Sequence, residues 1–346
     1  MKVLLVGAYP PPYGGIQVHL VHLEKYLQNK GHRSFVINLG KNKTLWSSTI
    51  ASPRNSLSAA LQLMKRRSHV CHLHFGGLLH VRLLFLALFC GLFFHKRCAI
   101  TMHSGGLSVW GVPQSPLKRL FLRISFSLCN TVICVNPEIG NFFKQLGVKW
   151  ENIKILSAFA FEKTLTNDPL SEKIAHFMKD RQPLLCSIGL LEAEYDLELL
   201  LRVFSRFTRT NPRAGLIIIG SGMLLRALED LIVELRLQDK VLLAGDLPHP
   251  HTLKILSSSN IYIRTSHYDG DCLSLKEALH LGVPAIASNT GMRPEGTILF
   301  PIGDEEALMD RIVTTASILP KQGKIAQDDS VNLAEIEKIL LKLSLN

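Results

Sequence analysis

Two stretches of this sequence follow one plan, and the plan admits few folds. Each has a short unbroken apolar run, a polar or glycine-rich loop, apolar residues at helical spacing, and a second apolar run. In the first, residues 3–7 are the apolar run and 8–15 a Pro/Gly loop. Ile16, Leu20, Leu23 and Leu27 then recur at helical spacing, Gly31 ends the helix, and a strand is expected over 34–39. In the second, 184–188 is the apolar run and 189–196 the loop. Leu197, Leu200, Leu201, Phe204 and Phe207 mark the helix, Asn211-Pro212 breaks it, and 216–219 is the next strand. Apolar runs that do not alternate suit strands buried on both faces, as in a parallel sheet. Each stretch therefore predicts a β-α-β unit opening such a sheet.

The alternation continues through the second half. A helix is expected around Leu224, Leu228, Leu231 and Leu235, a strand over 241–244, and a helix near 253–256. Strand 261–263, helix 273–281, strand 284–287 and a short strand 298–300 follow. A chain of 346 residues has room for two domains. Their expected boundary is the polar stretch 162–182, which gives domains over 1–165 and 166–325. After the polar residues 322–330, the tail 326–346 ends in an amphipathic helix over 336–343 that is expected to pack back on the first domain.

Charge narrows the partners. Lys+Arg exceed Asp+Glu by 39 − 28 = 11, and the pI is about 9.4. Such a chain suits an anionic partner: nucleic acid, a membrane surface or a phosphorylated substrate. No aromatic-studded basic strand supports nucleic acid, so none is expected. With 47% hydrophobic and 19% charged residues, a disordered chain is excluded. The seven cysteines are odd in number, contain no C-x-x-C pair and sit mostly in apolar runs. They point to a reducing compartment and no zinc site. The opening residues run directly into a strand, so no signal peptide is expected. The longest apolar run, 83–94, would rise only about 18 Å as a helix, against a hydrocarbon core of about 30 Å. It is a buried helix or a segment dipping into one leaflet. Residues 116–128 are helical, basic and apolar together, as an interfacial helix is. The expected location is cytoplasmic, peripheral on the inner face of an anionic membrane.

The loops carry the chemistry. Gly14-Gly15, at the start of the first helix, suits close approach of backbone N–H groups to an anion. Neither G-x-G-x-x-G nor a Walker A sequence occurs, which argues against a dehydrogenase and a P-loop ATPase. Gly220-Ser221-Gly222 reads as a ligand loop or as a turn. The richest segment is 264–282, where Arg264, Asp269, Asp271, Lys276 and Glu277 run from a strand end into a helix. A carboxylate there can accept bonds from sugar hydroxyls, and a cation can offset a phosphate leaving group. Asp269-Gly-Asp271 also reads as a carboxylate pair for a hard cation. Arg293 and Glu295 sit at another strand end. His72 and His74 alternate on one strand face beside Phe75-Gly76-Gly77, with too few ligands for a metal site. His19 and His22 are read as solvated or satisfied. His249 and His251 flank Pro250 in an expected loop with no partner acid in view.

The segment 264–282, with Gly-Val-Pro-Ala-Ile-Ala-Ser-Asn-Thr-Gly after it, resembles the signature of family 4 glycosyltransferases. That signature is two acidic residues with seven between, here Asp269 and Glu277, the second followed by Ala278. Residues 9–19, Tyr-Pro-Pro-Pro-Tyr-Gly-Gly-Ile-Gln-Val-His, and Lys30-Gly31-His32 resemble the family's N-terminal region. The resemblance implies the GT-B architecture: two Rossmann-like, doubly wound α/β domains facing a central cleft. Domain 1–165 would lie on the acceptor side, and 166–325 would take the nucleotide-sugar donor. It implies a retaining, metal-independent glycosyltransferase that moves a sugar from a UDP- or GDP-sugar to a lipid-linked or saccharide acceptor in cell-surface polysaccharide synthesis. The donor is a substrate, and no cofactor is implied. By position, Glu277 would hold the ribose hydroxyls, Asp269 and His103 would lie at the donor sugar, and Gly14 and Gly15 would approach the diphosphate. The metal reading of Asp269 and Asp271 gives way, because the pair follows three strands of a second α/β unit.

Two departures stand out. The family usually has Glu where this chain has Asp269. The family also places an Arg and a Lys in the loop after the first strand of the second domain, and residues 189–196 contain neither. Arg264, Lys276 or Arg293 would have to replace them at the donor phosphates. The alternative is a non-catalytic sugar-nucleotide-binding or scaffold protein of the same fold. An epimerase lacks its acid, base and histidine set here.

Overall fold

The computed structural model describes residues 1–40, 43, 45–77, 79–107, 111–161, 166–318 and 329–345. The chain divides into two compact units. Unit 1 comprises Met1–Ala160 and Asp329–Asn346, and unit 2 comprises Phe161–Asp328.

Unit 1 is built on a seven-stranded sheet. Its strands are β1 (Lys2–Gly7), β2 (Arg33–Asn38), β3 (Ile50–Ala51), β4 (Val70–Phe75), β5 (Cys98–Met102), β6 (Thr131–Cys134) and β7 (Ile153–Ile155), in the order β3-β2-β1-β4-β5-β6-β7. Every pairing is parallel. Its helices are α1 (Gly15–Asn29), α2 (Ser56–Lys65), α3 (Val81–Phe94), α4 (Pro116–Ser127) and α5 (Pro137–Leu146). Unit 2 has a six-stranded parallel sheet of β8 (Leu184–Ile188), β9 (Gly215–Ile219), β10 (Val241–Gly245), β11 (Ile261–Arg264), β12 (Ala285–Ser288) and β13 (Ile298–Phe300). The order is β10-β9-β8-β11-β12-β13. Its helices are α6 (Glu172–Lys179), α7 (Leu197–Phe207), α8 (Leu225–Glu234), α9 (His249–Ser257), α10 (Leu273–His280) and α11 (Glu305–Ser317). The last helix, α12 (Val331–Ser344), belongs to unit 1. The two α/β parallel sheets are the architecture the apolar runs predict.

Each sheet reverses its building direction once, between β1 and β4 and between β8 and β11. Open parallel sheets bind ligands at the carboxyl ends of the strands beside such a switch point.

The cores follow from spacing. In α7, Leu197, Leu200, Leu201, Phe204 and Phe207 fall on one helix face. They pack on Leu185, Leu216 and Ile218 of the sheet. Asp196 caps this helix by accepting from the Leu199 N–H at 3.4 Å, which satisfies one of its unpaired donors. In unit 1, Leu20, Leu23 and Leu27 of α1 join Val3, Leu5 and Val36 with Leu333, Ile336, Leu340 and Leu343 of α12. Glu337 pins α12 in place, accepting from Tyr26 Oη at 3.0 Å and pairing with His32 Nε2 at 2.7 Å.

The polar stretch 162–182 contains α6. One local expectation needs correction, the helix near 253–256 with the loop before it. The helix near 253–256 begins earlier, at His249, because Pro250 in a first helical turn removes an N–H that has no intrahelical partner anyway. His249 and His251 therefore stand on a helix and not in a loop. Of the polar residues 322–330, 322–328 lie outside the described residues.

The apolar run 83–94 forms α3. Leu84, Ala87, Cys90, Gly91 and Phe94 are buried, while Phe85, Leu92 and Phe93 are exposed. Gly91 lets α3 pack closely, since a Cβ there would lie 2.7 Å from Leu128 Cβ. Among the described residues no helix is long and apolar enough to cross a membrane. All seven cysteines are buried and unbridged.

Candidate functional site

The charged segment of unit 2 lies at the carboxyl ends of β8, β11 and β12. Arg264, the last residue of β11, is buried and fully engaged. Its Nη1 donates to the Ile188 carbonyl at 2.8 Å and its Nε to Ser266 Oγ at 3.1 Å. Its guanidinium lies 4.4 Å from the centre of the Tyr195 ring and pairs with the Asp269 carboxylate. Gly189 makes this possible: a Cβ there would lie 2.8 Å from Arg264 Nη1 and closer still to the Tyr195 ring. Arg293 arrives from the loop after β12. Its Nε donates to the Ser288 carbonyl at 2.8 Å, and its Nη2 to Ser266 Oγ at 3.0 Å and Ser288 Oγ at 3.1 Å. Its Nη1 pairs with the same Asp269.

Two buried guanidiniums thus share one carboxylate, leaving a local charge of +1. Burial alone would raise the Asp269 pKa. The charges of Arg264 and Arg293, with hydrogen bonds from Arg264 and Ser266, outweigh it and bring the group to about 2. Asp269 is therefore an ion at any ordinary pH. Its neighbour Asp271 pairs with Lys276.

Glu277 stands on α10 and is 4% exposed. His249 Nε2 lies 2.7 Å from its Oε1. The expectation of no acid beside His249 is corrected: its partner is Glu277. The hydrogen bond joins the start of α9 to the middle of α10, a separation that no local spacing reveals.

The loop after β8 is acidic and held in place. Glu192 Oε1 accepts from the Met223 N–H at 3.1 Å, and Asp196 Oδ2 lies 2.9 Å from His267 Nε2. Gly220 has φ +135°, and a Cβ there would sit 1.9 Å from the Gly189 carbonyl oxygen. At Gly222 it would sit 2.4 Å from that of Leu191. These glycines are needed because the loops after β8 and β9 touch backbone to backbone, which favours the turn reading of 220–222.

In unit 1, Gly15 is the first residue of α1 and Gly14 its extended N-cap. A Cβ on Gly14 would approach only the Gln17 side chain, which can move. Neither backbone angle nor packing demands glycine there, so the position keeps room for a ligand beside the helix start. His103 follows β5, and its N–H donates to the Phe75 carbonyl at 2.8 Å. Its ring meets those of His19 and His74, with centroids 5.2 and 5.6 Å away. His72 lies beneath His74 and bonds Thr101 Oγ1 at 2.7 Å. Burial first, then the neighbouring imidazoles, hold His74 and His103 far below the usual histidine range and His72 at about 3. All three are neutral at pH 7. Sequence reasoning takes these histidines one by one and misses the cluster. The available signal is that His74 and His103 each precede a glycine pair by one residue and that His19 follows one.

The fold is GT-B, and each of the two units matches a glycosyltransferase family model. Residues 170–300 match the family model described as glycosyl transferases group 1, and residues 13–158 match that of glycosyltransferase family 4. The chain is 32% identical over 156 residues to an uncharacterized glycosyltransferase of Methanocaldococcus jannaschii, covering 45% of this chain and 38% of that one. It is 23% identical over 309 residues to a subunit of the phosphatidylinositol N-acetylglucosaminyltransferase of Homo sapiens, covering 82% and 61%. The chain thus spans less than two thirds of these curated relatives. Among solved structures, HepE of Anabaena in complex with UDP-glucose superposes with a TM-score of 0.68 at 16% identity, covering 100% of this chain and 97% of that one. Sucrose-phosphate synthase of Thermosynechococcus elongatus gives 0.68 at 17% identity, covering 100% and 96%. At these identities the superpositions show the fold.

Proposed function

We propose that this protein is a retaining, metal-independent glycosyltransferase that takes a UDP- or GDP-sugar and glycosylates a lipid-linked or saccharide acceptor in cell-surface polysaccharide synthesis. The observation that carries the reading is the buried Glu277–His249 pair beside the switch point of unit 2. His249 holds one carboxylate oxygen, which orients the other toward the ribose hydroxyls of the donor. The +1 of the Arg264–Asp269–Arg293 cluster supplies a fixed positive field for the donor diphosphate, with Lys276 assisting. Asp269 is a positioning residue in this scheme: with two guanidiniums on it, it aims cations and takes up no proton. His103, neutral, offers a hydrogen bond to the donor sugar. The leaving phosphate itself takes the acceptor proton, so no strong protein base is required. The HepE structures hold UDP or UDP-glucose, which supports a uridine donor.

The test is calorimetric titration of UDP, GDP and ADP into the wild type and Glu277→Ala. UDP or GDP is expected to bind at micromolar strength. The variant loses two charge-assisted hydrogen bonds, an effect of about 100-fold in Kd. A folded wild type that binds none of the three overturns the reading. The absence of Arg and Lys from 189–196 favours a second reading, a non-catalytic binder. It predicts tight nucleotide binding with neither transfer nor hydrolysis of the sugar nucleotide.

Peripheral membrane contact belongs to the same proposal. Phe85 of α3 lies 5.3 Å from Phe121 of α4. These packed helices expose Leu92, Phe93, Leu117, Leu120 and Ile124, with Arg82, Lys118 and Arg119 in the same segments. Such a face suits an anionic bilayer surface. Sedimentation with vesicles should show binding that rises with phosphatidylglycerol content, and Leu117→Glu with Leu120→Glu should weaken it at least tenfold. Equal binding by the variant would remove the membrane part.

A further inference from the structure

The histidines of unit 1 can do more than the transfer reading asks of them. We propose that His19, His74 and His103 form a binding site for a divalent transition-metal ion of the zinc type. One nitrogen from each ring lies within 4.8 Å of the other two. His74 Nδ1 and His103 Nε2 are 3.4 Å apart. That is long for an N–H···N hydrogen bond. It matches the spacing, about 3.3–3.4 Å, of two ligands on a tetrahedral ion with Zn–N bonds of about 2.0–2.1 Å.

His19 supplies the third ligand. Its Nδ1 lies 2.7 Å from the Ala158 carbonyl oxygen. A carbonyl only accepts, so the proton sits on Nδ1 and the lone pair on Nε2. An outer bond of this kind fixes the tautomer and ring angle of metal-binding histidines. His74 is 3% exposed, and its Nε2 has no hydrogen-bond partner. With the ring proton on Nε2, the Nδ1 lone pair is the one turned toward His103 and open to an ion.

The backbone is shaped to bring the rings together. A Cβ on Gly7 would lie 2.9 Å from both His74 Cβ and Leu20 Cδ1, and one on Gly76 would lie 2.0 Å from Ile16 Cδ1. Glycine at both places lets α1 carry His19 against the ends of β4 and β5. Three neutral imidazoles leave the full +2 of the ion in place, so the fourth position suits water or an anionic oxygen. His103 is half-buried and gives the ion its way in. Occupation takes up the His103 nitrogen and so opposes the role given it above. That consequence rests on the proposed function, whereas the site does not.

The test uses the full chain after EDTA treatment. Zn²⁺ titrated by calorimetry should bind at one equivalent with micromolar or tighter Kd, and Co²⁺ should give the strong visible bands of a four-coordinate ion. His19→Ala and His103→Gln should each weaken Zn²⁺ at least tenfold. Circular dichroism confirms the fold, and His103→Gln changes a half-buried ring, which keeps the test alive if His19→Ala unfolds. Less than one equivalent bound, a six-coordinate Co²⁺ spectrum, or variants that bind like the wild type would overturn the site. UDP titration of the same preparation separates the two proposals. Nucleotide binding without Zn²⁺ binding removes only the site, and the reverse removes only the donor reading.

Discussion

Replacing Asp269 with Asn should destabilise unit 2 by about 3–5 kcal/mol, the range for removing one partner of a buried ion pair. The substitution keeps the shape and removes the charge, so Arg264 and Arg293 are left facing each other in the interior. The sign of the pH dependence follows from the depressed pKa. Asp269 titrates at about 2 in the folded protein and at 3.8 unperturbed. Its contribution is fully present above the unfolded value and is lost as pH falls from there toward 2. The gap corresponds to about 2–3 kcal/mol. Urea denaturation of both proteins between pH 7 and pH 3 measures the two effects. The difference should be flat above pH 5 and narrow as the pH approaches 3. A variant within about 1 kcal/mol of wild type at pH 7 would show that Asp269 does not hold the two arginines.

Gly220→Ala should cost a comparable amount for a different reason. The new Cβ meets the Gly189 carbonyl oxygen at 1.9 Å, on a backbone with φ +135°. Strained backbone costs about 1–3 kcal/mol and overpacking about 1–3 more, so a loss of about 3–5 kcal/mol is expected. Gly303→Ala separates the two contributions. Gly303 also has positive φ, +75°, but an added Cβ meets nothing within 4 Å. That variant should lose only about 1–2 kcal/mol. Similar losses in the two proteins would mean that the loops after β8 and β9 yield easily. The displaced backbone adjoins the Ile188 carbonyl that Arg264 bonds, so Gly220→Ala should also weaken nucleotide binding.

What the sequence discloses depends on whether a feature is periodic. The helix α7 is plain because five apolar residues recur on one face and Asn211-Pro212 ends the pattern. The central strands are plain because they are apolar without interruption. The short strands β3 and β7 have two and three residues, too few to show any period. The site divides in the same way. The spacing of Asp269 and Glu277 is visible along the chain, and so are the charged residues around them. The sharing of one carboxylate by Arg264 and Arg293 is not, because it depends on two strand ends converging. A sequence counts charges but does not show which ones face each other. The bond from His249 to Glu277 is hidden for the same reason. Pro250 looks like a loop residue until the helix is seen to begin one position before it.

The chain leaves unit 1 at Ala160 and rejoins it at Asp329, so unit 2 is an insertion within unit 1. The core of unit 1 needs Leu333, Ile336, Leu340 and Leu343 from the far side of that insertion. On the ribosome, all of unit 2 emerges before α12 does, and among the described residues the core of unit 2 reaches no further than Ala316. The unit that begins the sequence is therefore the last to close. Until α12 arrives, the apolar face it covers on α1 and β4 stays open to water and to other chains.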